Sequence, residues 1–137
     1  MAIIVCATMP YYDSEFERSL EGIARAGYRY VAFGTEHRSR PVLNEEDAGE
    51  PARLRMLFDR YGLKPAVLFA HSQVHPDQPA ARALRMLRIA HELEIPEINT
   101  LGIWGYTRFP DIPLTSEEYD RLNERFIAHY RGIAEQA

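Results

Sequence analysis

Four short apolar runs, beginning near residues 3, 30, 66 and 97, each give way to a polar or aromatic loop and then to an amphipathic stripe of helical period. Ile3-Ile4-Val5-Cys6-Ala7, Tyr30-Val31-Ala32-Phe33 and Ala66-Val67-Leu68-Phe69-Ala70 are continuous rather than alternating. Such runs read as strands buried on both faces of a parallel sheet. Glu97-Ile98-Asn99-Thr100-Leu101 is the weakest of the four, but its place in the order fits. Links from helix to strand are short and links from strand to helix are longer, as right-handed crossovers with functional loops at one edge require.

The helical segments carry their own punctuation. Ser14 with Glu17 reads as a capping box, and Phe16, Leu20, Ile23 and Ala24 form the stripe behind it. Gly27 supplies a left-handed stop, and Gly62 does the same after Pro51, Leu54, Leu57, Phe58 and Tyr61. Asp77 reads as the N-cap of a third helix whose face runs through Ala80, Leu84, Leu87 and His91, broadened by Ala83, Ala90 and Leu93. Thr115 with Glu118 makes a second capping box before Tyr119, Leu122, Phe126 and Ile133. The order is β-α-β-α-β-α-β-α, in a single α/β domain spanning 1–137.

Composition sets limits on function. A formal charge of −4, with basic residues scattered along the chain, leaves no electrostatic footprint for nucleic acid. Cys6 is the only cysteine, so an intramolecular disulfide is excluded and a reducing cytoplasm fits. The first apolar run is too short for a signal segment or a membrane span. A soluble cytoplasmic protein is the expectation.

Several chemical signatures are missing: no Gly-x-Gly-x-x-Gly, no Walker loop, no Cys-x-x-Cys, no His-Glu-x-x-His and no Gly-x-Ser-x-Gly. What remains is a set of polar and aromatic residues just past each strand. They are Met9, Tyr11 and Tyr12; Glu36 and His37; His71, Ser72 and His75; and Asn99, Trp104 and Tyr106. Parallel strands would project all four groups to one end of the sheet, where such folds place their chemistry. Histidines beside a carboxylate there suit a divalent metal or proton transfer, and an indole suits a sugar face. Each residue also has a plainer reading. Glu36 and His37 precede Arg38 and Arg40 and suit a solvated charged turn, Trp104 suits rim packing, and His91 and His129 read as ordinary helix residues.

Taken together, Phe16-Glu17 through Leu20, Ile23-Ala24, Ala26-Gly27-Tyr28 and Tyr30-Val31 resemble the opening of the sugar phosphate isomerase/epimerase family, the xylose isomerase-like (β/α)8 barrels. Tyr61-Gly62-Leu63-Lys64-Pro65, leading into a strand that ends in Ala70-His71-Ser72, resembles that family's passage into its third strand. Asn99-Thr100 with Gly102 resembles the end of its fourth. The resemblance implies a parallel (β/α)4 half of a TIM-type (β/α)8 barrel, binding a small sugar or sugar phosphate. It also implies a divalent Mn, Mg or Zn ion for the full-length family, bound through ligands on later strands. By this resemblance His71 contacts substrate or, in the endonuclease IV-like branch, a metal ion. On the isomerase reading Trp104 would stack on the substrate, Glu36 or His37 would hydrogen-bond its hydroxyls, and Asn99 and Tyr11 are expected among the substrate-binding residues. No catalytic residue and no metal ligand is assigned within this chain.

A complete barrel takes about 250 residues. Four strands leave two unpaired edges and an uncovered inner face, a surface prone to pairing. The expectations are a missing C-terminal half, a homo-oligomer that completes the barrel, or an open sheet covered some other way. Two other functions stay open: a non-catalytic half-barrel that binds a ligand or partner, and an endonuclease IV-like metal hydrolase, which the negative charge disfavours.

Overall fold

Parallel strands and helices alternate along the chain in a computed structural model that describes residues 3–103, 106–108 and 112–137. In chain order the elements are β1 (Val5–Ala7), α1 (Phe16–Arg25), β2 (Tyr30–Gly34), β3 (Glu36–His37), β4 (Arg40–Pro41), α2 (Glu50–Arg60) and β5 (Lys64–Phe69). After these come α3 (Ala80–Glu92), β6 (Glu97–Asn99), β7 (Tyr106–Arg108), β8 (Ile112–Pro113) and α4 (Ser116–Ala134). The main sheet has the order β1-β2-β5-β6, all parallel, with Cys6 opposite Val31, Phe33 opposite Leu68 and Phe69 opposite Asn99. Each new strand joins at the same edge. A doubly wound sheet reverses its strand order and carries helices on both faces. This one never reverses, so its helices cover one face, as in half of a TIM-type barrel.

The core lies between that face and the helices. Val31, Phe33 and Leu68 are fully buried against Leu20, Leu54, Phe58, Met86 and Ile89. The Phe33 and Phe58 ring centroids are 5.0 Å apart. Each such side chain contributes about 1.5–3 kcal/mol of burial.

The other face of the sheet corrects the sequence reading. The continuous apolar run predicts β5 buried on both sides, yet Ala66 and Leu68 are buried while Pro65, Val67 and Phe69 are only half-buried. The physical reason is the single winding, which leaves the face that a closed barrel would enclose only partly covered among the described residues.

Local signals differ in their outcomes. The Thr115–Glu118 capping box forms, Pro51 sits in the first turn of α2, and Gly27 and Gly62 take φ of +88° and +63° after their helices. Ser14 does not cap α1, whose N-cap is Glu15 with no side-chain bond. Ser14 N–H instead closes a turn onto the Tyr11 carbonyl, and the Ser14 carbonyl accepts from His37. Asp77 does not cap α3 either: its carboxylate is engaged by Arg125, and its N–H donates to His75 Nδ1. The buried face of α3 is Ala83, Met86, Ile89 and Ala90, leaving Leu84 and Leu87 half-buried and His91 exposed.

The stretch after Gly34 that reads as a polar loop holds a small hairpin, β3 against β4, turned by Arg38 and Ser39 at φ of 49° and 57°. Two-residue turns of this left-handed kind favour Asn-Gly, so the sequence lacks the usual signal. The loop after the fourth strand likewise holds a short antiparallel pair, β7 with β8. Among the described residues no helix is long and apolar enough to cross a membrane.

Candidate functional site

The C-terminal ends of β5 and β6 bring two of the expected residues together. Asn99 lies opposite Phe69 in register, and the Ala70 N–H extends the ladder by donating to the Asn99 carbonyl at 3.1 Å. Two residues past Phe69, His71 returns to the same side of the strand, and its Nε2 lies 3.1 Å from Asn99 Oδ1. The Phe69 ring meets the imidazole edge-on, with centroids 5.7 Å apart. Both polar side chains are half-buried, so they are held by the protein and still reachable.

α4 fastens this end of the sheet from both sides. Tyr130 Oη lies 2.8 Å from Thr100 Oγ1 and donates to the Leu101 carbonyl at 3.3 Å, which ties down the segment after Asn99. His129 Nε2 donates to the Val74 carbonyl at 3.1 Å, and Arg125 pairs with Asp77, which ties down the segment after His71. The Arg125 hydrogen bond holds the Asp77 carboxyl below the usual aspartate range. The His75 ring stands edge-on to Phe126 at 5.3 Å. Tyr130 and His129 carry no motif that marks them, because their role comes from contacts with segments far away in the chain.

The remaining expected residues are dispersed. Glu36 is exposed and accepts from Tyr12 Oη at 2.7 Å, while the Ser39 N–H donates to that same hydroxyl at 3.0 Å. His37 is buried, donating from Nδ1 to the Ser14 carbonyl at 3.3 Å and facing the Phe16 ring at 5.3 Å. Tyr11 is exposed and lines a groove along α1 with Arg18 and Arg25. Trp104 lies outside the described residues. Thr35 and Gln73, which the sequence did not single out, meet at 3.4 Å and join the end of β2 to the loop after β5. Thr8, at the end of β1, is fully buried, and its hydroxyl finds no partner among the described residues.

The clearest cleft opens at the opposite end of the sheet. It measures about 330 Å³ and is lined by Tyr30, Lys64 and Pro65 at strand starts, with Arg55, Asp59 and Glu94 around it. In barrels of this class the strand N-termini serve stability rather than chemistry, and the mixed charges here select no one ligand. His71 and Asn99 remain the better candidate site. Among the described residues no three His, Cys, Asp or Glu side chains converge. The donor set that a divalent ion requires is therefore not assembled by them.

The fold is similar to those of two solved structures. A D-psicose 3-epimerase crystallised in the presence of D-fructose superposes with a TM-score of 0.62 at 15% identity, covering 96% of this chain and 47% of its own. A D-allulose 3-epimerase from Methylomonas sp. gives 0.59 at 15% identity, covering 98% of this chain and 49% of its own. The fold is a parallel (β/α)4 half of a TIM-type barrel. The chain spans about half the length of the solved structures it matches. No family model and no curated protein matches the sequence.

Proposed function

We propose that this chain is the substrate-binding half of a sugar or sugar-phosphate isomerase or epimerase barrel, working in a reducing cytoplasm. The observation that carries the reading is the His71–Asn99 pair, held at 3.1 Å across the C-terminal ends of two adjacent parallel strands. The likeness in fold to a D-psicose 3-epimerase and a D-allulose 3-epimerase supports it. In this reading His71 and Asn99 face the hydroxyls of the bound sugar, and Trp104 stacks on the ring. Tyr11, Glu36 and His37 belong to the surrounding wall. The reaction would be proton transfer beside a carbonyl. Its acid/base groups, and the carboxylates that would hold Mn, Mg or Zn, fall to the other half of a barrel, supplied by further chain.

A second reading is a half-barrel that binds without catalysing. The half-buried inner face at Val67 and Phe69 favours it.

Calorimetric titration with D-fructose and D-psicose, together with oligomeric state and metal content on the same sample, tests both. Saturable sugar binding that His71→Ala abolishes supports the first reading. Sugar binding by a metal-free protein without turnover supports the second. Absence of binding, or binding that His71→Ala leaves unchanged, overturns the assignment of the site.

A further inference from the structure

We infer that Asn99 is a positioning residue: it holds His71 in the tautomer protonated on Nε2 and so presents Nδ1 as a hydrogen-bond acceptor at the strand-end face. The inference rests on the reading of His71 as a binding residue, but it concerns how the ring is set rather than what the site binds.

The side-chain oxygen of Asn99 can only accept, so the ring nitrogen 3.1 Å away must carry the hydrogen. A neutral imidazole holds one such hydrogen, which leaves the second nitrogen with an open lone pair. Among the described residues Nδ1 of His71 has no hydrogen-bond partner, so that lone pair is available to an incoming donor. The ring cannot swing freely, because Phe69 stands against it edge-on at 5.7 Å. Asn99 is fixed in turn. Its backbone is part of the β5–β6 ladder, and the next two residues are tied to Tyr130 on α4. An acceptor presented this way suits a ligand that offers an O–H, as a polyol does. A ligand that offers only acceptor oxygens would not match it.

Other histidines of the chain are held differently. His129 uses Nε2 on a backbone carbonyl, and His37 uses Nδ1 on another. His71 is instead oriented by a side chain on a neighbouring strand, where one substitution removes the acceptor without disturbing a backbone bond.

Long-range nitrogen–proton NMR correlation on the whole chain reads the tautomer directly, with His71→Gln used to assign its signals among the five histidines. Wild-type protein is expected to show Nε2 with a pyrrole-type shift and Nδ1 with a pyridine-type shift. Asn99→Leu should collapse this to a mixture of tautomers, with Asn99→Ala as the second variant in case the leucine disturbs folding. Asn99→Asp keeps an accepting oxygen and should keep the Nε2-protonated form. A purely structural role for Asn99 would not separate these variants. In calorimetric titration, Asn99→Leu should weaken D-fructose binding about tenfold. Protonation on Nδ1 in the wild type, or a tautomer that Asn99→Leu and Asn99→Ala leave unchanged, overturns the inference. If the tautomer behaves as stated and no sugar binds, the positioning role stands and the sugar assignment falls.

Discussion

His37 and His71 look alike in sequence, each a histidine just past a short apolar strand, yet the fold uses them oppositely. His37 is 4% exposed, packed against Phe16 with its proton given to a main-chain carbonyl. His71 is half-buried at the rim, oriented by Asn99 and open on its other nitrogen among the described residues. The difference arises in the loops that leave the two strands. After β2 the chain makes a tight hairpin whose turn residues, Arg38 and Ser39, adopt left-handed backbone angles. That hairpin turns His37 back toward α1. After β5 the chain stays in ladder with β6 for one more residue and delivers His71 to the sheet's own face. A polar residue at a strand end is therefore a packing element or a binding element according to the loop geometry, not its own chemistry.

The largest effect expected from this contrast is on stability. His37→Ala should cost about 2–3 kcal/mol in urea denaturation, through a cavity against Phe16 and the loss of the bond to Ser14. A cost near zero would erase the distinction between the two histidines.

Next is Glu45, which reaches from the loop after the hairpin to α3 and bonds Arg82 at 2.6 Å and Arg85 at 3.3 Å. The Arg82 hydrogen bond, chiefly, holds its carboxyl below the usual glutamate range. A carboxylate lowered in the folded state contributes stability that is fully present above its unfolded value of about 4.3 and is lost as pH falls through the lowered native value. Glu45→Gln should therefore cost about 1–2 kcal/mol near neutrality and flatten the acid limb of the stability curve. An unchanged acid limb would show that this ion pair does not couple the two regions.

Tyr12→Phe should cost about 1 kcal/mol, because its hydroxyl joins Glu36 to the left-handed turn at Ser39. Proteolysis within the hairpin should accelerate in that variant. The smallest stability change belongs to His71→Ala, within about 0.5 kcal/mol, while its effect on sugar binding should be the largest of the set. A strongly destabilised His71→Ala would make His71 a packing residue like His37.

Much of the fold was legible because it depends on periodicity and local backbone chemistry. The apolar runs, the stripes through Leu20 and Ile23 or Leu54 and Phe58, the glycine stops and the Thr115 cap all concern residues within one or two turns of each other. The failures were local signals overruled from a distance. Ser14 and Asp77 have cap-forming side chains, but the Ser14 carbonyl accepts from His37 and the Asp77 carboxylate is held by Arg125. The hairpin at Arg38-Ser39 was hidden because its turn lacks the residues that favour left-handed angles.

The sequence by itself determined that this chain forms parallel β/α units and that polar residues gather at one end of the strands. Alternation of apolar runs with amphipathic stripes leaves few other ways to bury the apolar surface. Only the tertiary structure decided how far the inner face is covered, with Ala66 and Leu68 buried and Val67 and Phe69 half-buried. It alone paired His71 with Asn99 and buried His37. Those outcomes turn on contacts between residues far apart in the chain, such as Tyr130 with Thr100 and Thr35 with Gln73, whose geometry no local pattern encodes.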